Sequence, residues 1–219
     1  MEDDYLQENV GYAFLTTQEA ISIFADVDYA LKSGKHIQKC PSQGKQFAFV
    51  GKYYDKLKSY YDNLFDIHLN REGDLEYFFI DFFKDGNGYY QRGNIPVENR
   101  EYLAESHLII AFLLIRMYVL EPRAESRILI QDFKVQVLSE YEEYKPHLLR
   151  LFAKSEDTEE TDYELKSIED EMDKALKKFN DLCWIMIDKS TETFEIMPSL
   201  NRLLNMFENY IINTPISNE

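Results

Sequence analysis

Helical periodicity runs through most of this chain, and twice it gives way to two short β-prone runs around a turn. Gly and Pro are few, 8 and 6, while hydrophobic residues make up 45%, so the chain can bury a core and stay helix-rich. These observations predict an α+β, mainly α protein. Helix, helix, β-hairpin is also the order at the end of a winged-helix domain, so two tandem winged-helix domains account for both halves. Their expected limits are 1–83 and 97–219, joined by a linker at 84–96, with residues 1–16 as a flexible lead.

The first helix is expected from Thr17, whose hydroxyl can cap it, to Gly34, which supplies a left-handed stop. Phe24, Val27, Tyr29, Ala30 and Leu31 form its expected buried stripe. Lys32, Lys35 and His36 crowd its last turn and exit, where cations complement the helix dipole. Pro41 and Gly44 mark 36–46 as a loop. A second helix is expected over 46–63, because Phe49, Tyr53, Leu57, Tyr60 and Leu64 recur at helical spacing. Two β-prone runs then flank Glu72, Gly73 and Asp74, which reads as a hairpin over 66–81.

The Gly/Asn/Pro-containing stretch 84–96 is the expected boundary between domains. The second half opens with an apolar helix from Glu98 to Leu120, ended by Glu121–Pro122. Its most apolar run, Leu108–Leu120, has 13 residues and contains Arg116, which is too short for a membrane span and suits a buried central helix. Another helix is expected over Ser126–Tyr144, with Leu129, Ile130, Phe133, Val137 and Tyr141 on one face, followed by a short apolar piece at Leu148–Phe152. An acidic stretch, 155–164, reads as a solvated loop. Leu165, Ile168, Met172, Leu176 and Phe179 predict a helix over 161–182, then strands at 183–187 and 193–197, and a last helix after Pro198.

Composition excludes several functions. No GxSxG, Walker A, HExxH or GxGxxG occurs, and the four histidines are scattered. The two cysteines, Cys40 and Cys183, form no CxxC, so neither a zinc site nor any other cofactor is expected. No enzymatic activity is expected. The net charge of −16 is wrong for a protein that binds nucleic acid by bulk attraction. The charge is nevertheless segregated. Between Lys32 and Lys58 lie seven lysines and a single acid, Asp55, so this window carries +6 and the remainder −22. A local phosphate-binding face produces this footprint. No arginine lies in the window, so backbone attraction without sequence preference is the expectation. An acidic neighbour, or the chain's own acidic stretch, would match the same lysines. The helix over 161–182 mixes Lys166, Lys174, Lys177 and Lys178 with Glu169, Asp170, Glu171, Asp173 and Asp181, which suits a protein partner better than a DNA groove.

The stretch from Phe24 to Ile37, ending Ala30–Leu31–Lys32–Ser33–Gly34–Lys35–His36–Ile37, resembles the signature near the start of the MukE/MksE family. The likeness continues through the Phe47–Phe49 entry, the Tyr-rich helix, the hairpin ending Tyr77–Phe78–Phe79 and the second half, over roughly 14–210. The resemblance implies a non-catalytic kleisin-binding (kite) subunit of a bacterial condensin, built of two winged-helix domains and forming a homodimer. It implies a kleisin partner of the MukF/MksF kind and, through it, an SMC ATPase of the MukB/MksB kind. It further implies contact with DNA in chromosome condensation and segregation, in a cytoplasmic, nucleoid-associated setting with no membrane. By match to the signature, Lys32, Ser33, Gly34, Lys35 and His36 are the family's basic segment; Lys32, Lys35 and His36 are expected to face DNA, with Lys39, Lys45 and Lys52 of the lysine window beside them. The equivalent subunit of a plasmid-restricting SMC defence complex fits the same residues. A winged-helix transcription regulator is the alternative of another class, and it calls for an arginine-bearing recognition helix.

Overall fold

The computed structural model describes residues 11–72, 77–91, 93–96, 102–120, 127–139 and 162–213. The chain divides into two compact units, Met1–Glu101 and Tyr102–Glu219. The protein is mainly helical with small antiparallel sheets, as the sequence predicts.

In the first unit, α1 spans Gln18–Lys32. Thr17 caps it, its hydroxyl accepting from the Ala20 amide at 3.2 Å. Gly34, at φ 79°, ends it, with the Lys35 amide reaching back to the Ala30 carbonyl. Both ends therefore match the expectation. Tyr29 does not: it points outward, and the buried face is Ala20, Val27 and Leu31. Ahead of α1 the expected flexible lead is packed from residue 12 onward. Ala13–Thr16 forms a 3-10 turn, and the buried Phe14 ring stacks on Tyr53 at 5.1 Å.

The expected single helix over 46–63 is two: α2, Gly44–Lys52, and α3, Tyr54–Phe65. Tyr53, at φ −110°, closes one and opens the other. Its amide still bonds to Phe49, and its carbonyl accepts from Leu57. Apolar spacing runs through this break, so periodicity alone does not reveal it. The hairpin forms as expected from β2, His68–Glu72, and β3, Tyr77–Asp81. A strand that the sequence does not predict, β1 at Ile37–Gln38, pairs with β3 and gives the order β1-β3-β2. Phe49, Val50, Leu57, Tyr61, Ile67, Leu69 and Phe78 fill the core between helices and sheet.

Residues 93–96, the end of the expected linker, lie against this unit. Ile95 joins its core, and the Asn94 amide bonds to the Phe65 carbonyl at 2.7 Å. Gly93 has φ +54°, and a Cβ there would meet Ile67 Cγ2 at 2.6 Å and the Asp66 carbonyl at 2.7 Å. Only glycine fits at that approach.

The second unit repeats the order. Helix α4 runs Glu105–Ile115, with a wider π turn over Arg116–Leu120. It begins later than expected: residues 102–104 are not helical, and 97–101 fall outside the described residues. It is apolar all round, with Ile110, Ala111, Leu113, Leu114 and Ile115 buried, so it forms the centre of that core. The helix expected from Ser126 begins instead as a strand, β4, Arg127–Leu129, and turns into α5, Ile130–Ser139. Strand pairing with Thr193–Glu195 overrides the helical spacing at these three residues. Tyr141, the piece at 148–152 and most of the acidic stretch fall outside the described residues. Helix α6, Asp162–Asp181, buries Ile168, Met172, Leu176 and Phe179. Strands β5, Ile185–Asp188, and β6, Thr193–Ile196, complete a sheet of order β4-β6-β5. A 3-10 turn, Pro198–Leu200, leads into α7, Asn201–Asn213. No helix among the described residues is long and apolar enough to cross a membrane.

Candidate nucleic-acid interface

The basic window starts where α1 stops. Gly34 reverses the chain, which lets Ile37 enter the core and β1 reach β3. Gln43 then clamps β1 from outside. Its amide nitrogen donates to the His36 carbonyl and its Oε1 accepts from the Gln38 amide, both at 3.0 Å. One side chain thus satisfies two backbone groups that a neighbouring strand would otherwise take. Lys35 and Lys39 flank this clamped strand and are exposed. Their backbone is held, so attraction to a phosphate costs side-chain entropy alone.

The six residues expected to face DNA divide into two groups. Lys35, Lys39 and Lys45 are exposed and make no ion pair among the described residues. Lys52 is exposed too, but its ammonium pairs with Glu19, which also accepts from the Tyr53 hydroxyl at 3.2 Å. Hydrogen bonding from Lys52 holds the Glu19 carboxyl below its ordinary range, and Glu19 in turn raises Lys52. Lys32 is largely engaged inside the fold. It pairs with Asp28 at 2.7 Å, one helical turn back, and sits 3.5 Å from the centre of the Phe65 ring. His36 departs furthest from the expectation. It is 1% exposed, with its ring 5.7 Å from Phe79 and 5.8 Å from Tyr77. Its place after the helix stop suggests a surface cation, but β1 turns it beneath the sheet.

The fold sets one more lysine of the window beside these and adds an arginine from outside it. Lys56 on α3 is exposed, its ammonium 5.8 Å from the Phe14 ring. Arg71, on β2, lies over the Tyr54 ring of α3 at 4.8 Å, and the Tyr54 hydroxyl bonds to the Leu69 carbonyl at 3.1 Å. This arginine lies beyond the window in sequence, and only the hairpin carries it back to the helix. Its one signal in the sequence is its place in the first run of the predicted hairpin.

Buried polar atoms of α1 and α3 lie beneath this surface. The Asp28 Oδ1 and the Tyr61 hydroxyl are both buried and have no partner within hydrogen-bonding distance. Burial first, and Asp28 second, keep the Tyr61 proton on. Burial likewise pushes Tyr60 up to about 12. No group of metal-ligating residues forms among the described residues, and the Asp85 carboxylate in the Asp-Gly-Asn-Gly turn accepts from the Asn87 and Tyr89 amides.

In the second unit the helix in the corresponding place, α6, presents both signs. Lys166, Lys174 and Lys177 share its exposed face with Asp170, Asp173 and Asp181. Lys174 pairs with Glu171, and Asp173 with Lys134 of α5. A phosphate approaching this face meets as many acids as bases.

The geometry so described coincides with a family match: the profile of the condensin complex protein MksE family matches residues 22–208. This chain belongs to the MksE family. The match opens inside α1 and ends within α7, so both units fall within it. Membership makes the chain a condensin complex subunit and implies partner subunits. No curated protein matches the chain.

Proposed function

We propose that this MksE-family chain is a non-catalytic, kleisin-binding subunit of a bacterial condensin, acting at the nucleoid in chromosome organisation. Each unit is then a winged-helix domain. The support is the shared order of helix, short strand, helix and hairpin, with the first strand paired to the third in both sheets. The kleisin joins the chain to an SMC ATPase, and a second copy completes a homodimer. DNA is met without sequence preference through the first unit, by Lys35, Lys39 and Lys45 with Lys52, Lys56 and Arg71 beside them. Lys32 and His36 hold the segment's shape rather than touch phosphate.

The family match over 22–208 carries this proposal. A tagged chain, recovered from cells of its own source, is expected to bring down a kleisin and an SMC ATPase. Recovery without either, together with retention of one short DNA sequence at high salt, would point to a transcription regulator instead.

A further inference from the structure

The two helices that follow β1 turn unlike faces outward. On α2 the exposed positions are Gly44, Lys45, Ala48, Gly51 and Lys52, one side of the helix at spacings of three and four, with two lysines and no acid. The outward side of α3 carries Asp55, Lys56, Ser59, Asp62 and Asn63, with two acids against one lysine. Lys58 at its margin and Asp66 at its end add one charge of each sign. The chain leading into α2 is basic as well. Lys35 and Lys39 precede it, and no acid stands between Asp28 and Asp55 in the sequence. The acid that the fold brings to α2 is Glu19 of α1, paired with Lys52. The rings beside these lysines are already engaged. Tyr53 stacks on Phe14 and its hydroxyl donates to Glu19, while Tyr54 lies under Arg71 with its hydroxyl on the Leu69 carbonyl.

We infer that the phosphate backbone of a DNA duplex lies along α2, from Lys39 to Lys52, and that α3 beyond its first turn stays clear of the groove. This placement rests on the DNA-facing reading of the first unit and deepens it. Charge selects the helix. A phosphate strand along α2 meets lysines at both ends of the exposed side, whereas a groove-inserted α3 would set Asp55 and Asp62 among phosphates. The engaged rings select the duplex. No tyrosine of this face offers a free ring for a base to stack on, so a single strand gains nothing over the denser charge of a duplex. Glu19 then competes with phosphate for Lys52 and sets how much of that lysine the DNA receives.

The test compares Ala48→Glu with Ser59→Glu in the assembled complex, by salt titration of binding to a mixed-sequence duplex and to one of its strands. Both positions are exposed on helices and gain the same charge, so long-range repulsion is matched between them. Ala48→Glu should weaken duplex binding about tenfold and flatten the salt slope, and Ser59→Glu should change it by less than about twofold. Glu19→Gln, which releases Lys52, should tighten binding about threefold and steepen the slope. Equal losses from Ala48→Glu and Ser59→Glu, a larger loss from Ser59→Glu, or a loss confined to the single strand would overturn the placement. So would duplex binding unmoved by Ala48→Glu, or unmoved or weakened by Glu19→Gln. Replacing Lys35, Lys39 and Lys45 together by Glu separates the two levels. An unchanged slope there would remove DNA from the first unit altogether. A slope lowered by those three, with Ala48→Glu and Ser59→Glu acting alike, keeps DNA on the first unit and strikes only its place along α2.

Discussion

The two units share one order of elements and one order of strands, yet they present opposite surfaces. In the first sheet the core side carries Ile37, Leu69 and Phe78, and the far side, Gln38, Tyr77 and Phe79, is buried as well. In the second sheet Ile128 and Phe194 face the core, while Arg127, Leu129 and Met186 are exposed, and Arg127 and Met186 border a cavity of about 310 Å³. The connections differ too. In the first unit a loop follows β1 and sets out Lys39 beside a clamped strand, whereas β4 runs straight into α5. The exposed lysines of the first unit stand largely clear of acids, and those of α6 stand among them. A shared topology therefore fixes where the cores lie and leaves charge and exposed faces free to diverge. The proposed nucleic-acid role of the first unit rests on its side chains, and its topology is no argument for it.

The comparison breaks most sharply at the cores. Phe49→Ala should remove about 3–5 kcal/mol from the first unit, and Phe133→Ala about as much from the second. Each ring is fully buried in its own cluster. Hydrogen exchange read by mass spectrometry should show protection reduced in the mutated unit and kept in the other. Reduced protection in both would mean that the two cores unfold as one.

A smaller effect is expected at the left-handed turns. Gly34→Ala and Gly93→Ala each place a Cβ on a positive-φ residue, at a cost of about 1–2 kcal/mol, and more at Gly93 where the Cβ collides with backbone. In the second unit Cys183 occupies such a position at φ 62°, its turn closed by the Trp184 amide on the Phe179 carbonyl. Cys183→Gly should therefore stabilise that unit by up to about 1 kcal/mol in urea titrations. A destabilised Cys183→Gly protein would show that the thiol packs in a way glycine cannot replace.

The smallest effect separates the units by pH. Burial raises Tyr60 to about 12 and Tyr61 well above 10, so the folded first unit holds protons that the unfolded chain releases. The stability they contribute is full below pH 10 and falls as pH rises toward 12. Tyr60→Phe should flatten that alkaline decline. In the second unit burial lowers His107, whose Nδ1 is buried without a partner. Its contribution is present above pH 6.5 and declines as pH falls below that value, so the second unit should be the one that His107→Gln makes less acid-sensitive. Thermal melts across pH check both, and identical profiles for variant and parent would remove these groups from the account.

Local chemistry is the legible part of the chain. Thr17, Gly34 and the α6 stripe act within a turn or two, and each stands where the spacing predicts. Elements made by distant partners are not legible. β1 and β4 are two and three residues long, too short for alternation, and exist because β3 and β6 bind them. Residues 84–96 have a linker's composition, but Gly93 and Ile95 fit one place on the first core. The candidate site is half visible. The +6 window is a sequence fact, whereas the burial of His36, the pairing of Lys32 with Asp28 and the return of Arg71 to Tyr54 depend on the fold.

The central claim is that DNA meets the first unit and not the second. Salt titration of DNA binding by the assembled complex tests it with two matched variants. Lys35→Glu, Lys39→Glu and Lys45→Glu together should weaken binding and reduce the salt slope by about 0.9 for each phosphate no longer neutralised. Lys166→Glu, Lys174→Glu and Lys177→Glu together should leave the slope as it was. A slope that falls with the second set, or holds with the first, would contradict the assignment.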